Sequence, residues 1–289
     1  MPRTPSLLHR IARHILPASL ACVLLGACAD KPQNTEPVSI KLGESFESFQ
    51  ARYSNRVEAH QPMGANFAKI HWPAKAMGVV RFEHGGHSLE IPHVQYVGGR
   101  EESAAFKSDG LSRFTVSAAA SAKGRVSPSE AQQAFYALLR GLQEAGWQRV
   151  NGFSVPRLKG KDSYDYMRQT LEGSLDADYM PPVDEWLKFT EAPYGFYADG
   201  VFLEVRFDFL DFETKSDAFR AYVFIFNFEG SHTHFRSHLE DKDRPEWRSK
   251  IREAIAGSLA DRQVEEAKLR ARGIAIDESC QDPPFPEGI

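Results

Sequence analysis

The chain has 289 residues, 35 of them basic and 39 acidic, for a formal net charge of −4, and its 42% hydrophobic share includes 20 Phe, 9 Tyr and 4 Trp. The acidic balance argues against a face built for nucleic acid or for anionic lipid. Length and aromatic content suffice for a sizeable core, arranged as one large domain or two small ones.

The chain opens with Arg3, Arg10 and Arg13, then an apolar run from Ile15 to Leu25, then the small residues Gly26 and Ala27. A charged start, a short apolar stretch and small residues are the three parts of a secretory signal. The run is shorter than the roughly 20 apolar residues that cross a bilayer. Pro17 inside it would cost a helix about 3 kcal/mol. Leu25-Gly26-Ala27-Cys28 resembles the lipobox of bacterial lipoproteins. The resemblance implies removal of residues 1–27, a diacylglycerol on the Cys28 sulfur with palmitate-type chains, and a place in the envelope of a Gram-negative bacterium. Ala29, standing where an aspartate would mark inner-membrane retention, implies the outer membrane, with the body facing the periplasm. The membrane is then a partner through the lipid on Cys28, without a spanning helix. Loss of residues 1–27 removes three basic residues and no acid, so the mature charge is three units more negative than the whole chain's −4.

Residues 28–37 are polar and proline-bearing, as in a tether. The expected body is 38–273. Phe46, Phe49 and Tyr53 have helical spacing within Glu44 to Tyr53. Phe67 to Trp72, Met77 to Glu83, Ser88 to Val97 and Leu111 to Ala119 read as strands of an antiparallel sheet. The strongest helix runs from Pro128 to Ala145, with Ser127 and Glu130 as a capping box and Gly146 as its stop. Residues 151–199 interleave tyrosines with acids, with helices at Asp162 to Glu172 and Pro182 to Phe189, and read either as a functional excursion or as a cap over the sheet.

A hairpin follows. Val201, Leu203, Val205, Phe207 and Phe209 alternate with polar residues, and Phe219 to Phe228 returns with apolar side chains on both faces, Val223 and Ile225 opposing Tyr222, Phe224, Phe226 and Phe228. That pattern calls for cover on both faces, from the chain itself or from a partner. A long helix, Pro245 to Arg272, carries Trp247, Ile251, Ile255 and Leu259 on one face and turns charged after Gly257. Residues 274–289 are an extended, Pro-rich tail. The fold class expected is α+β, antiparallel strands packed with amphipathic helices in two layers and ending in a long helix, with a candidate sub-boundary near 98–109.

Cys22 leaves with the signal and Cys28 takes lipid, which leaves Cys280 as a lone thiol. The sequence contains no G-x-S-x-G elbow, P-loop, H-E-x-x-H, C-x-x-C or dinucleotide fingerprint. His232, His234 and His238 are weak metal candidates, on the expectation that a strand end points the first two to one side. His84 and His87 read as exposed rings around a Gly85-Gly86 turn. Asp176 with Asp178, and Asp184 with Glu185, are acid pairs that suit a solvated loop better than acid–base work. No catalytic residue, cofactor or nucleic-acid partner is expected. The expected function is non-enzymatic binding of another protein, similar in type to the immunity lipoproteins that neutralise envelope-attacking effectors. An envelope-assembly accessory, or a cell-wall hydrolase without a recognisable motif, remains the alternative.

Overall fold

The structure, a computed structural model, describes residues 36–210 and 218–289. The expected signal segment, Cys28 and the tether up to Thr35 lie outside them. The first strand, β1, is Val38–Ile40. Helix α1, Phe46–Arg52, starts at Ser45, whose hydroxyl accepts from the Ser48 amide at 3.1 Å, and it buries Phe46 and Phe49. Strands β2 (Glu58–His60), β3 (Asn66–His71), β4 (Gly78–Phe82), β5 (Leu89–Glu101) and β6 (Leu111–Ala119) follow.

Helix α2, Pro128–Glu144, has both halves of its capping box. The Glu130 amide donates to the Ser127 hydroxyl, and the Ser127 amide donates to the Glu130 carboxylate. It stops where Gly146 takes a φ of +84° and the Trp147 amide turns back to the Leu142 carbonyl at 3.0 Å. Then come β7 (Gln148–Arg149), α3 (Gly160–Thr170), α4 (Val183–Trp186), β8 (Tyr194–Ala198), β9 (Val201–Leu210) and β10 (Ala221–Gly230). The last helices are α5 (Ser231–Ser237) and the 25-residue α6 (Trp247–Ala271).

The fold is α+β. All these strands join one sheet in the order β1-β4-β5-β6-β10-β9-β8-β7, with β3 attached to β5 and β2 to β3. The expected N-terminal sheet is thus the first half of a larger one. It also contains a parallel pair, β1 on β4 with Val38 opposite Val80, which three residues of sequence do not announce. The 13-residue β5 serves two neighbours on one edge, β4 along its first half and β3 along its second. Residues 98–109 hold the end of β5 and a 3₁₀ turn, Ala104–Asp109, and the sheet continues beyond them through the antiparallel pairing of β6 with β10.

Registers sort the side chains into two faces. On the first, Phe114, Val116 and Ala118 of β6 lie opposite Phe228, Phe226 and Phe224 of β10, which lie opposite Leu203, Val205 and Phe207 of β9. This face is covered by α1, α2 and α4 and by Trp147. Phe135 of α2 is fully buried, with the rings of Tyr136, Trp186, Tyr194, Phe207 and Phe224 at 5.1 to 6.1 Å. Three tyrosine hydroxyls, of Tyr136, Tyr164 and Tyr194, meet in this core within 3.0 Å of one another, and Tyr136 also donates to the Tyr179 carbonyl. Burial pushes the Tyr136 hydroxyl up to about 12, so the cluster stays protonated and each hydroxyl is satisfied by another. The helical part of segment 151–199, residues 160–189, therefore caps the sheet, contributing Tyr164, Leu175, Ala177 and Trp186 to its core, while Tyr194–Ala198 joins the sheet as β8.

Among the described residues the opposite face is covered only at one end, so these residues make two layers with a third over part of them. There Phe202 and Phe153 pack with Phe235 of α5, Trp247, Ile251 and Ile255 of α6, and Phe285 and Ile289 of the tail. The tail packs along its own domain. Phe285 stacks on Phe235 at 5.1 Å, and the Arg252 guanidinium donates to the Ile289 carbonyl at 2.6 Å. Cys280 is 5% exposed, and burial pushes its thiol pKa up, so it is an inert interior thiol. The charged half of α6 is held firmly. Arg157 donates twice to Glu266, and Arg262 donates twice to Asp282 of the tail. Glu266 is 2% exposed, and the Arg157 bonds overcome the upward pull of its burial to hold its pKa below the usual carboxylate range.

Phe135→Ala removes the ring around which these aromatics meet. The variant is expected to lose about 3–5 kcal/mol of unfolding free energy in urea titration.

Candidate functional site

Among the described residues, the second sheet face away from α5 and α6 is half-exposed. Its cross-strand rows follow from the registers. One row runs Asp208, Val223, Ala119. The next runs Arg206, Ile225, Ser117, Tyr96, His71, and the next Glu204, Asn227, Thr115, Gly98, Lys69. The last, nearest α5, runs Phe202, Glu229, Arg113, Arg100, Phe67. Tyr96 lies along its own strand across Gly98. A Cβ there would stand 2.1 Å from the Tyr96 hydroxyl, so glycine is what lets the phenol lie down. The His71 ring packs against Tyr96 at 5.0 Å. The expectation that both faces of β10 be covered is met on one: Tyr222, Phe224, Phe226 and Phe228 are buried, while Val223 and Ile225 are half-exposed.

Where this face meets α5, a cavity of about 430 Å³ opens, lined by Thr115, Asn151, Phe153, Phe202, Glu204, Asn227, Glu229, His234 and His238 among others. Glu229 organises it. One carboxylate oxygen takes two guanidinium nitrogens of Arg113, at 2.6 and 2.7 Å, and the other lies 3.1 Å from His234 Nδ1. Burial pushes the Glu229 carboxyl up, but the bonds and charges of His234 and Arg113 outweigh it, and the group sits below the usual carboxylate range. The His234 ring stacks on Phe202 at 3.5 Å, and His238 sits 5.2 Å from it. Partial burial, together with the His234 charge, lowers the His238 pKa. The hydroxyls of this cavity are engaged elsewhere: Thr115 donates to Asn227 at 2.9 Å, and Ser174 accepts from the Gly195 amide at 2.7 Å. Glu229, His234 and Arg113 are thus fixed relative to one another, with Asn227 held beside them by Thr115.

The structure corrects the histidine expectation. Ser231–Ser237 is the helix α5 rather than a strand end, so His232 and His234 diverge. His232 lies near Trp247 and Asp109, while His234 and His238, one turn apart, share the Glu229 side. Among the described residues no group of three or more His, Cys, Asp or Glu is placed to hold a metal ion. His84 and His87 are half-buried, not exposed. His84 Nε2 is 2.9 Å from the Ala198 carbonyl and His87 Nδ1 is 2.7 Å from that of Ala145, which ties their turn to the end of β8 and to the end of α2. Asp176 is buried and accepts from the Gly160 amide at 2.6 Å, and Glu185 pairs with Arg168 and Lys188. These acids hold local structure. Sequence reasoning missed Arg113, Asn227 and Glu229. The one signal was that Asn227 and Glu229 break the apolar run of β10 on the face shared by Val223 and Ile225.

Glu229→Gln tests the carboxylate. Because the native group has the lower pKa, its stabilisation is full above the unfolded carboxylate pKa and fades as pH falls through the native value. The wild-type protein is expected to lose more stability than Glu229→Gln between pH 5 and pH 3 in urea titrations, and at pH 7 the variant is about 1–3 kcal/mol less stable. No protein-family model, no curated protein and no solved structure matches the chain.

Proposed function

We propose that the chain is a lipid-anchored protein of the bacterial envelope that binds another protein through the open sheet face, acting as an inhibitor that covers its partner's surface. The observation that carries this reading is the half-exposed group Tyr96, Val223 and Ile225 in the middle of a sheet, flanked by Arg206, Asp208, Glu204 and Lys69. Antiparallel sheets tolerate one solvated face, and such faces are ordinarily polar. A phenol and two β-branched aliphatic side chains supply the apolar centre of an interface, and the mixed charges around them supply its rim.

The adjoining cavity fits the same use. Its aromatic walls and its fixed carboxylate, amide and imidazole groups present a rigid relief, while its hydroxyls are occupied. The anchor belongs to the reading because a tether through Cys28 keeps the binder in the compartment where an envelope-attacking partner arrives.

Two experiments test the proposal. Val223→Asp with Ile225→Asp places charge in the apolar centre at positions that are already half-solvated. The circular-dichroism melt is expected to stay within a few degrees of wild type, while capture of the native partner from crosslinked envelopes falls by about tenfold or more. Unchanged capture, or turnover of an envelope polymer by the purified protein, sinks the binding reading. Cys28→Ser is expected to abolish acyl labelling and membrane fractionation, and unchanged labelling defeats the anchor.

A further inference from the structure

Beyond the Glu229 row the sheet face runs into a second, larger cavity of about 660 Å³, and four arginines line it: Arg100, Arg113, Arg236 and Arg244. They come from two strands, from α5 and from the turn before α6. Their concentration stands out in a chain with more acids than bases. The four differ in what they have left to give. Arg236 is 4% exposed, donates to Asp109 at 2.8 Å and lies 3.8 Å over the Phe106 ring, so its charge is committed. Arg113 is held by Glu229.

Arg100 is different. It lies directly opposite Arg113 in the sheet, a like-charge pair that is unfavourable by itself. A single carboxylate, Glu102, serves both, at 3.2 Å from Arg100 and 3.4 Å from Arg113. The Arg100 side chain is 41% exposed and its guanidinium lies 5.5 Å from the Phe67 ring centroid, which holds it in place without neutralising it. Arg244 is 40% exposed, and its acidic partner Asp241 is 89% exposed, so solvent screens that pair. Two half-exposed guanidiniums, one sharing its counter-charge and one weakly compensated, thus face one cavity. On the lip stands Met63, 99% exposed with a φ of +50°, an apolar side chain presented to solvent.

We propose that this cavity is the acidic subsite of the docking surface, where Arg100 and Arg244 receive the carboxylate side chains of a protein segment whose apolar neighbours rest on Met63 and Phe67. The inference rests on the protein-binding reading of the open face. Charge complementarity carries it: a guanidinium fork matches a carboxylate in two parallel bonds. Position supports it too. The Arg113 row lies four residues along the strands from the Ile225 row, about 13 Å, so one partner surface reaches both.

The test uses the full chain in detergent and two synthetic probes, acetyl-Glu-Glu-Phe-Glu-Glu-amide and the same peptide with every Glu replaced by Gln. Binding is read by titration calorimetry at low and at physiological salt. The expected result is that the Glu peptide binds and weakens with salt, that the Gln peptide binds about tenfold or more weakly, and that Arg100→Gln with Arg244→Gln removes the difference. Both arginines are half-exposed, so a circular-dichroism melt near the wild-type value is expected for the double variant, and Arg100→Lys with Arg244→Lys is expected to restore part of the preference.

Absence of Glu-peptide binding, equal affinity for the two peptides, or a preference that survives the double Gln variant overturns the subsite. So does an equal response to inorganic phosphate at the same charge concentration, which marks a general anion site. If Val223→Asp with Ile225→Asp abolishes partner capture while the Glu peptide fails, the sheet-face reading stands without this subsite. If capture is unaffected by those changes, the parent reading fails whatever the peptides do.

Discussion

Thr115 and Asn227 stand 112 positions apart in the chain and opposite each other in the sheet, joined by a 2.9 Å hydrogen bond. The seven-residue register to which they belong, β6 against β10, is the constraint on which the rest depends. It brings the first strands beside the C-terminal hairpin and stacks Phe114, Val116 and Ala118 against Phe228, Phe226 and Phe224 in one apolar band. Closing a loop of that length has a large entropic cost that only the finished band offsets. A slip of one residue would exchange the faces, turning four aromatics of β10 to solvent and Asn227 and Glu229 into the core. The register is thus fixed by the core on one side and defines the functional face on the other.

That face owes its character to what the helices leave uncovered. Five aromatic rings converge on Phe135 from the core side, whereas among the described residues α5, α6 and the tail cover only the end of the opposite side. The tail secures this partial layer through ion pairs whose partners lie on α6 and on β7, Arg262 with Asp282 and Arg149 with Asp277. Breaking such a pair leaves a half-buried charge, so the layer is held in a defined position and does not slide across the open strands. The boundary between covered and open sheet is where both cavities lie.

How much of this was legible depended on how local each signal is. The capping box at Ser127 and Glu130, the stop at Gly146 and the alternation in the hairpin act over a few residues, and the chain displays them directly. The parallel strand Val38–Ile40 has no such marker, since three residues pairing with a strand some forty positions on carry no period to read. The histidine segment misled because a short polar stretch after a strand is ambiguous between extension and a turn of helix. Gly230 in extended conformation ends β10, and α5 starts immediately after it. The arginine cavity was invisible for a stronger reason: Arg100 and Arg113 on one side and Arg236 and Arg244 on the other meet only because β6 pairs with β10.

One row of residues links the two cavities. Phe202, Glu229, Arg113, Arg100 and Phe67 cross five strands in register, an aromatic at each end and alternating commitments of charge between. Glu229 is bound by His234 on one side and by Arg113 on the other, so Arg113 stays fixed opposite Arg100, and Glu102 must divide itself between the two guanidiniums. An excess of positive charge is therefore displaced along the row toward Phe67, away from the imidazoles and toward the open edge. The polarity of the surface follows from hydrogen bonding in the first cavity. Protonating Glu229 would loosen its hold on Arg113, draw Glu102 toward Arg113 and leave Arg100 with less counter-charge in the second cavity.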